Sequence, residues 1–235
     1  MKTIFSIVST NLLCLGIFPI SSLAVVSRSQ ADLQVATQFH IAQVQKSAQA
    51  YFEQGNDKYQ LGDRQGAIAD YDRAIALNPK FALAYNNRGL AKSELGNIQE
   101  AIVDCDRAIA LNPKFALAYN NRGWNNYQLG NKEESIIDYD RAISLSPKIA
   151  LVYNNRGLAK FALDNRQEAI VDYDRAIALN PKFARAYGNR SDAKFALGDR
   201  QGAITDVNKA AKMFRQAGQM DLYQKAINSL KKFSN

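Results

Sequence analysis

The stretch Arg73–Gly89 reads R-A-I-A-L-N-P-K-F-A-L-A-Y-N-N-R-G. It recurs without a change at Arg107–Gly123, and with a few changes from Arg141 and from Arg175. Each copy begins 34 residues after the one before. A fixed period of this size constrains the fold more than composition does, because one short unit cannot bury its own apolar face and must stack on its neighbours. By length alone the 235 residues could make one or two ordinary domains. The repeats make them one continuous array.

Phased on Pro79, Pro113, Pro147 and Pro181 as unit position 32, the copies span 48–81, 82–115, 116–149, 150–183 and 184–217. Position 4 is Tyr51, Tyr85, Tyr119, Tyr153 and Tyr187. Position 8 is small (Gly55, Gly89, Gly123, Gly157, Ser191), as is position 20 (Ala67, Ala101, Ser135, Ala169, Ala203), and position 27 is always alanine. Position 24 is Tyr71, Tyr139 and Tyr173, against Cys105 and Val207. Each copy reads as two helices. Helix A, positions 1–14, stops at Leu-Gly, where Gly62, Gly96, Gly130 and Gly198 supply a left-handed C-cap; Asp164 replaces glycine in the fourth copy. Helix B opens on Asp63, Asn97, Asn131, Asn165 and Asp199, and in three copies Glu100, Glu134 or Glu168 follows as in a capping box. Ala67, Ile68, Tyr71, Ala74 and Ile75 form its apolar stripe. The Asn-Pro pairs end it.

This pattern resembles the tetratricopeptide repeat (TPR) family over 48–217. The resemblance implies an all-α, right-handed superhelical solenoid of five helix-turn-helix repeats with a C-terminal capping helix. It also implies that positions 2, 5, 9, 12 and 13 of helix A line a concave groove. The groove residues would then be Leu83, Asn86, Leu90, Leu117, Asn120, Trp124, Tyr127, Leu151, Asn154, Leu158, Phe161 and Phe195. Asn86, Asn120 and Asn154 form a ladder whose amides could pair with the backbone of an extended peptide. Trp124, the single tryptophan, reads either as a groove anchor or as packing between neighbouring A helices. There are departures. Position 7, usually leucine in the family, is Gln54, Arg88, Arg122, Arg156 and Arg190, and position 11 is mostly lysine. The two-carboxylate clamp of some members needs Lys or Arg at position 5 and Asn at position 9. Position 5 here is Phe52, Asn86, Asn120, Asn154 and Gly188, so recognition of a chaperone tail is not supported.

Outside the repeats, Lys2 precedes an apolar run from Ile4 to Ile20, then Ser22-Leu23-Ala24. This reads as a signal peptide over 1–24, cut after Ala24, with retention as an anchor the alternative. The protein is therefore expected to be exported, to the periplasm or the exterior. Leu13 is too bulky for Cys14 to mark a lipoprotein signal. Residues 25–47 read as a short leading helix or a tether. Residues 218–235 read as a solvating cap, with Tyr223, Ile227, Leu230 and Phe233 on one face, and Arg215 standing where a proline would have ended the preceding helix. Removing the signal leaves Cys105 as the one cysteine, at a core position, and His40 as the one histidine. Neither suffices for a metal cluster or a nucleophile–base pair, and no cofactor or metal site is expected.

The formal net charge of +8 is unevenly placed. From Ala48 to Pro181, 16 basic residues face 17 acidic ones; from Lys182 to Asn235, 11 face 4. Within the repeats, the position-7 arginines recur with Asp70, Asp104, Asp138, Asp172 and Asp206 at position 23, which reads as a ladder of ion pairs or as a surface for an acidic partner. The sequence thus predicts a non-enzymatic scaffold that holds a protein or peptide in its groove. The alternative is a tether whose basic end meets an anionic envelope surface or polyanion. Nucleic acid is disfavoured for an exported chain.

Overall fold

The computed structural model describes residues 47–234. The readings of 1–24 and 25–46, including Cys14 and His40, lie outside the described residues. Among the described residues there are eleven helices and no strand. The first ten pair as hairpins: α1 (Ala48–Gln60) with α2 (Arg64–Leu77), α3 (Ala82–Glu94) with α4 (Ile98–Leu111), α5 (Ala116–Gln128) with α6 (Lys132–Leu145), α7 (Ala150–Ala162) with α8 (Arg166–Leu179), and α9 (Ala184–Ala196) with α10 (Arg200–Gln216). The last, α11 (Met220–Ser234), packs on α10 and α9.

The ends follow local chemistry. Gly62, Gly96, Gly130 and Gly198 have φ of +85° to +89°, and Asp164 takes the same left-handed turn at φ 67°. Asp63 and Asp199 cap their helices by accepting from Gly66 N and Gly202 N at 2.8 Å. Asn97, Asn131 and Asn165 make no side-chain cap bond, so the box expected with Glu100, Glu134 and Glu168 is missing its N-cap half. At the other end of helix B, Asn78, Asn112 and Asn180 accept from the backbone N–H two residues on, at 3.1 Å, which fixes the turn around each proline. Helix α10 has no such stop and runs 17 residues, against 14 for the other B helices.

Stacking sets the curvature. Each A helix touches the A helix of the next hairpin, each of the first four B helices packs between two A helices and the fifth between α9 and α11, yet no B helix touches another B helix. The A layer is therefore the close-packed inner side and the B layer the splayed outer side of a solenoid.

Small residues create the contact between the two helices of a hairpin. A Cβ built on Gly55 or Gly157 would lie 2.6 Å from the ring of Tyr71 or Tyr173, and one on Gly123 would lie 2.9 Å from Tyr139. Position 8 must be glycine wherever position 24 is tyrosine. In the fifth hairpin Val207 is smaller and Ser191 fits. At the C-terminus, Phe214 and Ala211 of α10 bury against Ala226 and Phe233 of α11, and Phe233 stacks on Phe195 with ring centroids 4.4 Å apart.

Candidate functional site

The A helices present their second, fifth, ninth and twelfth residues inward, and the structure gives each row a different role. The second residues, Leu83, Leu117 and Leu151, stand 47%, 44% and 43% exposed. The twelfth residues are packing groups: Tyr127 lies against Tyr139 and Ala159, Phe161 against Tyr173 and Ala193, and Phe195 against Phe233. Leu158 packs beside Phe161, and Leu90 is half-buried. Trp124 packs against a residue of its own helix and borders open space. One face stacks on Tyr127, with centroids 5.6 Å apart, and the residue also lines an open cavity of about 300 Å³.

The fifth residues form the floor. Asn86, Asn120 and Asn154 are buried and belong to one chain of hydrogen bonds. Asn189 Nδ2 donates to Asn154 Oδ1 at 2.8 Å, Asn154 to Asn155 at 3.4 Å, and Asn155 to Asn120 at 3.1 Å. Asn120 then donates to Asn121 at 3.2 Å, Asn121 to Asn86 at 2.9 Å, Asn86 to Asn87 at 3.0 Å, and Asn87 to Asn56 at 2.9 Å. Tyr71 Oη closes the chain on the same Asn56 Oδ1 at 2.8 Å. Each buried amide donates to one neighbour and accepts from another, as its burial requires. These amides therefore hold the A helices in register before they serve any ligand. The position-6 asparagines that complete the chain are written in every Y-N-N-R-G, but the sequence alone assigned them no role.

Charge is organised between the A and B layers. Arg122 joins Asp106 of the hairpin before it and Asp138 of its own hairpin, both at 2.6 Å. Arg88, Arg156 and Arg190 make the same double bridge, to Asp72 and Asp104, Asp140 and Asp172, and Asp174 and Asp206. The position-23 aspartates are buried, and Lys92, Lys160 and Lys194 at position 11 also reach theirs. Hydrogen bonds donated to Asp138 raise the Arg122 guanidinium pKa above its ordinary value, outweighing its partial burial. Burial alone would raise the Asp206 carboxyl, but the bonds from Arg190 and Lys194 win and hold it below the usual range. The ladder reading describes these arginines. None of the four is left unpaired for an acidic partner.

Cys105 is fully buried, and burial pushes its thiol up to about 12, so it stays protonated and inert. Among the described residues no group of three or more His, Cys, Asp or Glu is arranged to hold a metal ion. None of their helices is long and apolar enough to cross a membrane.

The cavity beside Trp124 lies at the C-terminal end of the inner face. Leu151, Asn154 and Leu158 of α7 line it, with Arg185, Gly188 and Asp192 of α9 and Leu222 and Lys225 of α11. The cap thus also forms a wall of the groove. Arg185 and Lys225 were not among the residues expected to line it. The legible signal was position 2 itself, where three leucines give way to arginine in the fifth copy.

Comparisons with known proteins agree with this architecture. A family model described as TPR repeat matches residues 55–96, one described as Tetratricopeptide repeat matches 82–115 and 150–183, and another so described matches 116–149. No match was found among curated proteins. Among solved structures, the chain is similar to MamA at 27% identity, covering 70% of this chain and 96% of that one, with a TM-score of 0.60. A TPR protein of Thermus thermophilus shares 21% identity, with 78% and 99% covered and a TM-score of 0.68. PilW, a type IV pilus biogenesis factor, shares 19%, with 79% and 92% covered and a TM-score of 0.66. With the matched stretches running over residues 55–183, more than half of its length, this chain belongs to the tetratricopeptide repeat family.

Proposed function

We propose that the protein is a non-enzymatic scaffold that holds a peptide or protein segment along the inner face of its array. TPR proteins as a family mediate protein–protein interaction, which makes a scaffold the natural starting point. The observation that carries the reading here is the row of half-exposed leucines, Leu83, Leu117 and Leu151, leading to the cavity beside Trp124. Apolar side chains at equivalent positions on successive inner helices offer a continuous strip that a partner would cover.

The test is a pull-down from envelope extract, wild type beside a Trp124→Ala, Leu117→Ser variant, at low and high salt. Asn120 is left alone, because its amide belongs to the register chain. A partner held by the wild type at both salts and lost from the variant supports groove recognition. Retention of every partner by the variant sinks it. A second reading is favoured by the exposed Lys212, Arg215 and Lys231 of α10 and α11, which make no ion pair among the described residues. In that reading the basic end tethers the protein to an anionic surface. Capture that survives the variant and vanishes in salt selects this reading, since such attraction is screened within about 10 Å at 0.1 M ionic strength. We further propose export. Protein recovered outside the cytoplasmic membrane is expected to begin at Val25, and an intact Met1 would refute cleavage.

A further inference from the structure

The cations of the array fall into two kinds. Arg88, Arg122, Arg156 and Arg190, with Lys58, Lys92, Lys160 and Lys194, each reach a carboxylate. Among the described residues Arg185 and Lys225 reach none, although they come from different helices and line one cavity. Arg185 stands at the position that Leu83, Leu117 and Leu151 hold in earlier copies, so the apolar strip runs straight into a cationic mouth. Trp124, Leu158 and Leu222 line the same cavity. Asp192 is the one carboxylate in the lining. It forms no ion pair with Arg185 or Lys225, so the mouth keeps a net positive charge.

We infer that this end of the groove selects a partner segment in which an Asp or Glu side chain stands next to a bulky apolar one. The carboxylate sits between Arg185 and Lys225, where charge-assisted hydrogen bonds are stronger than neutral ones. The neighbouring apolar side chain lies against Trp124 and Leu158. A lipid surface fits less well, because the two cations line a concave cavity and do not share a flat face. The inference rests on groove recognition as proposed above and adds its chemical preference.

The experiment titrates the purified protein into two fluorescein-labelled, C-terminally amidated octapeptide pools and reads anisotropy. One pool carries Glu beside Leu or Phe at its centre; the other carries Gln in place of Glu. The Glu pool is expected to bind about tenfold more tightly. Arg185→Gln with Lys225→Gln is expected to remove that preference with an unchanged far-UV circular dichroism spectrum, since both side chains are exposed and make no ion pair among the described residues. Asp192→Asn is expected to tighten the Glu pool and leave the Gln pool unmoved. Equal binding of both pools, lost on Trp124→Ala, overturns the acid preference and leaves groove recognition standing. A Glu preference that survives the double variant overturns the site. Binding of neither pool, with capture of phosphatidylglycerol vesicles instead, overturns both the inference and the groove reading in favour of the basic tether.

Discussion

The junction between the second and third hairpins and that between the fourth and fifth occupy the same place in the repeat and are filled by opposite chemistry. Between hairpins four and five, the Tyr173 ring packs under Phe161 and Ala193, all apolar. Between hairpins two and three, Cys105 replaces the ring, Ser93 replaces the twelfth-position aromatic, and Asn125 stands where alanine stands in the fifth copy. Ser93 Oγ donates to Asn125 Oδ1 at 2.5 Å, Gln128 Nε2 donates to Ser93 Oγ at 3.2 Å, and Asn125 Nδ2 lies 4.0 Å from Cys105 Sγ. One space, two solutions: a ring, or a small thiol with hydrogen-bonded polar groups. The three differences belong together, because any one alone would leave a clash or an orphaned polar group.

The same polar junction weakens the charge ladder, and the largest expected effect follows from that. Asn126 takes the lysine position in hairpin three and reaches Asp138 only at 3.3 Å, whereas Lys160 holds Asp172 at 2.8 Å. Among the described residues, buried Asp138 therefore depends on Arg122 alone for a counter-charge. Arg122→Ala should cost about 3–5 kcal/mol, the usual loss when one partner of a buried pair is removed. Arg156→Ala should cost clearly less, because Lys160 remains. Urea unfolding of both variants measures the gap, and equal losses would show that the lysines contribute nothing. An added Asn126→Lys should rescue part of the Arg122→Ala defect.

Replacing the thiol by the ring tests whether the polar filling is a set. Cys105→Tyr alone inserts an aromatic beside Ser93 and Asn125 and should cost about 3 kcal/mol by overpacking. Adding Ser93→Phe and Asn125→Ala, which copies the apolar junction, should recover most of the loss. The recovery is a coupling energy among contacting residues, read from the full set of single and combined variants. Simple additivity would mean that the three positions do not form a unit.

The sequence made the helix boundaries and the left-handed cap at Asp164 legible, because each is a local rule repeated in phase, whereas the fit of Gly157 against the Tyr173 ring came only with the structure. The roles of groove residues were less legible. Asn86, Asn120 and Asn154 were read as ligand groups, because one repeat shows only that an amide faces inward. The structure adds that Asn121, Asn155 and Asn189 of the following hairpins donate to them. That pairing depends on the rise between repeats, which no single-unit pattern encodes. Likewise, that Lys225 of the cap would line one cavity with Arg185 could not be read from spacing, since α11 follows no repeat register.

The smallest effects sharpen the comparison at the level of single atoms. Gly157→Ala places a Cβ 2.6 Å from the Tyr173 ring and should cost about 1–3 kcal/mol. Gly89→Ala meets Ala101 O at 3.0 Å and Cys105 Sγ at 3.5 Å, so the polar junction should tolerate it better. The tyrosines themselves differ in one bond. Tyr71 Oη donates to Asn56, at the end of the asparagine chain, whereas the buried hydroxyls of Tyr139 and Tyr173 find no hydrogen-bond partner among the described residues. Burial pushes the Tyr71 hydroxyl up to about 12 and the other two further still, so all three stay neutral over the working pH range. Tyr71→Phe should therefore cost about 1 kcal/mol and leave Asn56 served by Asn87 alone, while Tyr139→Phe should be neutral within about 0.5 kcal/mol. Thermal melts of the two variants decide it. A loss at Tyr139 as large as at Tyr71 would mean that the ring's hydroxyl is bonded after all, and that the apolar junctions are less dry than their packing implies.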